Sequence, residues 1–77
     1  MKKQDLLNKK VIVKLLDTIP RVATVIDVDD DGLWLASEEL TYALGSGAPA
    51  ITSLKTPVVF VPTCRIEWLV AAAEASQ

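Results

Sequence analysis

The sequence predicts a mostly β domain, with a short N-terminal helix followed by five short strands. Three observations predict it. Val, Ile and Thr are concentrated in short runs, and β-branched side chains suit a pleated surface. These runs recur at roughly ten-residue spacing, as in a small barrel or sandwich. Turn chemistry separates them: "TIP", "DDDG" and "TCR".

The elements follow in order. Residues 2–9, "KKQDLLNK", place Leu6 and Leu7 among charged residues. They read as one or two helical turns, with Asn8 as the stop. "KVIVKLLD" sets Val11, Val13 and Leu15 against Ile12, Lys14 and Leu16, the alternation of a first strand. "RVATVIDV" is the second, with Pro20 at its edge, where a missing donor is tolerated. "GLWLAS" opens the third, with Trp34 facing away from Leu33 and Leu35. Two readings stay open for residues 36–44: the strand runs on through "EELTYAL", or Glu, Leu and Ala form a helix. Residues 45–56, rich in Gly and small polar residues, read as a loop. "PVVFVP" is a fourth strand, apolar on both faces. "TCR" turns tightly, "RIEWLVAA" is the fifth strand, and residues 72–77 form a frayed tail. Residues 1–77 make one domain without internal repeats.

The chain has 77 residues, of which 51% are hydrophobic. So short a chain buries only about 60% of its unfolded surface. The surplus apolar surface points to burial against other copies. No run approaches the ~18 apolar residues of a spanning helix, and "MKKQDLLNKK" has no apolar signal region. The expectation is a cytoplasmic protein without a membrane partner. The single cysteine, Cys64, cannot form an internal disulfide and reads as a small buried hydrophobe between two strands. Histidine is absent, which removes the commonest general base and transition-metal ligand. No nucleophile–base constellation is visible, so the sequence reads as a non-enzyme with no cofactor and no metal.

One motif needs its own test. "DVDDDGLWLASE", Asp27 to Glu38, fits the calcium-loop pattern at every specified position. A calcium loop requires flanking helices. Here the flanks are β-branched and interrupted by Pro20, so the stretch reads as an acidic β-turn.

At this point the chain resembles the Sm-like family, which includes Sm, LSm and Hfq-type proteins. "ATVIDVD" supplies Ala23, Val25, Val28 and Asp29 at the spacing of the first Sm motif, and "GLWLASEE" continues with Leu33, Leu35 and Glu38. "VPTCRIEWL" matches the second motif through Val61, Ile66 and Leu69. The resemblance covers about Leu6 to Ala71. It implies a strongly bent five-stranded antiparallel sheet, a small open barrel, and a homo-oligomeric ring of five to seven subunits. The fourth strand would pair with the neighbour's fifth, making Val58, Val59, Phe60, Val61, Ile66, Trp68 and Val70 the interface. Asp29, Asp30, Asp31 and Gly32 would form a loop facing the pore. The family's uridine-holding Asn and Arg-Gly are missing; Pro62 and Thr63 stand at the latter. Single-stranded RNA is therefore a candidate partner with a degenerate site. Its candidate contacts are Lys2, Lys3, Lys9, Lys10, Arg21 and Arg65 for phosphate, and Trp34 with Tyr42 for stacking. A scaffold without nucleic acid is the competing reading.

Overall fold

The computed structural model describes residues 2–73, apart from the side chains of residues 49 and 52. It is a five-stranded antiparallel sheet in the order β4-β3-β2-β1-β5, with one α-helix. The strands are β1 (Lys10–Leu15), β2 (Arg21–Val28), β3 (Gly32–Ala36), β4 (Val59–Pro62) and β5 (Ile66–Ala71). The mostly β, antiparallel expectation holds at this level. The sheet does not close, since β4 and β5 lie at its two ends.

Alternation explains the core. Val11 and Val13 of β1, Ala23 and Val25 of β2, Leu33 and Leu35 of β3, and Val61 of β4 are buried on one face. Period-two alternation puts Ile12, Val22 and Trp34 on the other face, where they are exposed. Two bulges interrupt the ladder, one between Val25 and Asp27 and one between Lys14 and Leu15. Bulges bend a sheet and increase its twist.

The segment left open resolves as a helix. β3 stops at Ala36, and α1 runs Glu38–Gly45. The Ser37 hydroxyl accepts from the Leu40 amide at 3.0 Å, an N-cap. Glu38 and Glu39 occupy the first turn, where the helix dipole favours negative charge. Leu40 then enters the core, 1% exposed. Two side chains also continue the sheet's pairing beyond β3. Ser37 Oγ donates to Val22 O at 2.5 Å, and the Val22 amide donates to Glu39 Oε1 at 3.2 Å.

The N-terminal turn is shorter than the predicted helix over 2–9. It is a 3-10 helix, Lys3–Leu6, which buries Leu6. Asn8 ends it at φ 63°, a left-handed conformation that Asn tolerates. The chain then pairs with β2: Asn8 N donates to Val25 O, and Val25 N to Lys9 O. The loop over 45–56 contains a further 3-10 segment, Pro49–Ser53, and "TCR" is a third, Thr63–Arg65. Cys64 on that turn is exposed, not buried, because a tight turn between two edge strands offers its middle residue no core-facing position. Residues 74–77 of the expected tail lie outside the described residues.

Candidate functional site

Two features stand out: the sheet's free edges and the β2–β3 turn. The turn is built by reciprocal bonds. Asp29 N donates to Gly32 O at 2.9 Å, and Gly32 N to Asp29 O at 3.3 Å. Gly32 is required by close approach. A Cβ there would collide with Val61 O and lie 2.8 Å from Pro62 Cα. Thr63 N donates to Asp31 O at 2.9 Å, tying the turn to the end of β4. Trp34 Nε1 donates to Asp29 Oδ2 at 3.0 Å, and its ring meets Phe60 at a centroid distance of 5.0 Å and 52°. Tilted pairs at this distance are favourable.

The N-terminal lysines arrive at the same turn. Lys3 Nζ donates to Asp29 O at 3.1 Å and Asp30 O at 3.4 Å. The N-terminal segment and the acidic turn, distant in sequence, thus meet through backbone carbonyls, a contact that composition could not reveal. Within the former calcium candidate, Asp27 Oδ1 accepts its neighbour Val28 N at 2.8 Å, and Glu38 lies on α1. Among the described residues no metal-holding group of three acids or cysteines is present.

The candidate cations do not form one face. Lys9 and Lys10 sit at the start of β1. Arg21 pairs with Val13, and Leu16 N donates to Arg65 O, so both arginines sit at the other end. Six strand residues separate these ends by roughly 17–20 Å. Arg65 is occupied with Asp17 at 3.2 Å, an exposed pair of small energetic weight. The Arg21 Nε is buried without a hydrogen-bond partner among the described residues. Tyr42 stands 84% exposed on α1 beside an open groove of about 1200 Å³, over Val22, Thr24 and Ile26. It lies on a different element from Trp34.

At the edges, the expected interface residues divide by face. Phe60, Trp68 and Val70 are on the outer face; Trp68 and Val70 are 40% and 54% exposed. Val58 is exposed just before β4, and Val59 and Ile66 are partly buried against the core. Val61 is the exception, since its side chain is 3% exposed inside its own core, leaving only its backbone near the edge. Apolarity on both faces of "PVVFVP" concealed which face was inward. Among the described residues no helix is long and apolar enough to cross a membrane. No family model, curated protein or solved structure matches this chain.

Proposed function

We propose that this chain is a ring-forming, Sm-like subunit that serves as a scaffold rather than an enzyme. One observation carries the reading: β4 and β5 are the two ends of an open sheet, with Trp68 and Val70 exposed on β5, Val58 exposed just before β4, and Phe60 half-buried on β4. Unpaired strand edges are templates for another strand. Of the charged side chains that protect edges, β5 carries Glu67, paired with Lys14 of the neighbouring β1 at 2.6 Å, and β4 carries none. Edge-to-edge addition of copies covers both ends and the apolar residues beside them.

Size-exclusion chromatography with light scattering tests it. The expected mass is that of five to seven chains, and Phe60→Asp or Val59→Asp should break the assembly by burying an unpaired charge. A folded wild-type monomer at micromolar concentration overturns the proposal.

RNA association is the further function such a ring would carry. The engagement of the Lys3 ammonium by two carbonyls of the acidic turn favours the second reading, a homo-oligomeric scaffold without nucleic acid. Titration with labelled uridine-rich and adenine-rich oligomers separates the two.

A further inference from the structure

The groove beside Tyr42 is built from three parts of the chain. Its floor is the outer face of β2, where Val22 and Ile26 are exposed. One wall is α1. Glu38, Tyr42 and Gly45 line it at spacings of four and three, so they form one stripe of the helix. Leu40 lies off that stripe, in the core. The helix thus anchors through one side and borders the groove with another. The remaining wall is the segment entering β4, Thr56 to Val58.

The chemistry of the lining is uneven. Residues four apart on a helix set their Cβ atoms about 5–6 Å apart, so Glu38 and Tyr42 are neighbours. A carboxylate beside an exposed aromatic ring is a seat for a cation, since the ring face attracts positive charge as well. Glu39 also lines the groove, but its Oε1 already accepts the Val22 amide. Among the described residues Glu38 has no partner. Lys10, in register with Thr24, lines the groove from β1. Two carboxylates against one ammonium leave the lining acidic, with the negative charge on α1. Beside Gly45 there is open space, with nothing within 4 Å of where a Cβ would stand. Thr56 holds φ 41°, which is unusual for a β-branched residue, and a residue before proline favours extended backbone. Strain of this kind collects at ligand clamps.

Size and charge complementarity name the occupant. At about 1200 Å³ and open to solvent, the groove exceeds the roughly 300–1,000 Å³ of enclosed small-molecule sites. Its acidic wall repels phosphate, and a single aromatic gives no run of stacking platforms, so nucleic acid fits poorly. An apolar floor beside a carboxylate and a ring suits a segment of chain that carries both an aliphatic and a basic side chain. From this we infer that the groove binds a short basic peptide segment of a partner protein. An aliphatic side chain of that segment rests on Val22 and Ile26, and an Arg or Lys meets Glu38 and Tyr42. The inference goes beyond the ring proposed above and stands on the geometry of one chain. It supplies what a scaffold would carry.

Selection of random heptapeptides displayed on phage, against the full chain, tests this. Enriched sequences should combine an aliphatic residue with Arg or Lys. The most enriched one, synthesised with a fluorophore, should lose affinity about three- to tenfold in Glu38→Lys. In Tyr42→Ala the loss should be about two- to fivefold. Asp17→Lys makes the same charge change on the exposed β1–β2 turn, outside the groove, and should leave the affinity unchanged. Repeating the selection against Glu38→Lys should enrich Asp or Glu in place of Arg or Lys. Circular dichroism verifies the fold of each variant. The absence of any enriched motif, a motif without a basic residue, or equal losses in Asp17→Lys and Glu38→Lys would overturn the inference. So would an adenine-rich oligomer that binds the wild type and loses affinity in Tyr42→Ala, since the groove would then be a nucleic-acid site. Light scattering keeps the two proposals apart: peptide capture by a monomer ends the ring and leaves this inference standing, and a ring that captures no peptide does the reverse.

Discussion

Trp34 and Asp29 close the β2–β3 turn from the side: the indole Nε1 donates to the carboxylate at 3.0 Å while the ring rests on Phe60. One side chain thus ties an acidic turn to an edge strand. Trp34→Phe keeps the ring contact and removes the bond. The expected loss is about 0.5–1.5 kcal/mol, toward the lower end because the pair is exposed. Asp29→Ala should cost a similar amount, and the double variant less than the sum. Urea unfolding at fixed protein concentration reads all three. Additive losses would show that the two residues do not interact.

Gly32 and Gly45 should respond oppositely to the same change. At Gly32 an added methyl meets the backbone of Val61 and Pro62, which cannot move aside without breaking the β3–β4 ladder. Gly32→Ala should cost about 1–3 kcal/mol, the range of overpacking. At the end of α1, Gly45 has nothing within 4 Å of its absent Cβ. Gly45→Ala should stabilise by about 0.5–1 kcal/mol by restricting the unfolded chain. Thermal unfolding of the two variants in parallel decides it.

Helix α1 should prove structural. Leu40 is 1% exposed and is the helix's one buried anchor among the described residues. Leu40→Ala should cost about 2–5 kcal/mol through lost burial and a residual cavity. Ser37→Ala removes both the cap and the bond to Val22 O, and should cost about 1–2 kcal/mol. Hydrogen exchange offers a second readout. The Leu40 amide should lose protection in Ser37→Ala while the β1 amides keep theirs.

Strands were legible in the sequence because alternation writes them directly, as in Val11, Val13, Ala23 and Val25. The end of β3 was half legible. Ser37 followed by two glutamates is a helix start, but apolar Leu40 and Leu44 fit either period, and only its place in the core selects the helix. Cys64 was misread, and the inward face of Val61 went unseen, for one reason: local sequence carries no statement of which side of β4 or of its following turn faces inward. The site was least legible. Lys3 meets Asp29 and Asp30 across 26 and 27 positions, and nothing in either segment names the other.

That contact reshapes the expectation for RNA. Any binding should be weak and should not select uridine, because the turn presents carboxylates where a stacking and pairing set would be needed. Among the described residues the Asp30 carboxylate has no partner, whereas Lys3 has its ammonium on two carbonyls. Affinity should therefore rest on Lys2, Lys9 and Lys10. Three such phosphate contacts give a salt slope of about −2, since each contributes about −0.7 on a single strand. Replacing Lys2, Lys9 and Lys10 with Gln should abolish binding. Lys3→Gln should weaken it less than Lys9→Gln does, and Asp30→Asn should leave it unchanged or strengthen it. Fluorescence anisotropy with labelled uridine-rich and adenine-rich oligomers across a salt series measures each. Tight, salt-resistant, uridine-selective binding that survives the lysine replacements but is lost in Trp34→Leu would overturn this account, placing the base on the Trp34–Phe60 pair. No binding at low salt would leave the scaffold reading alone.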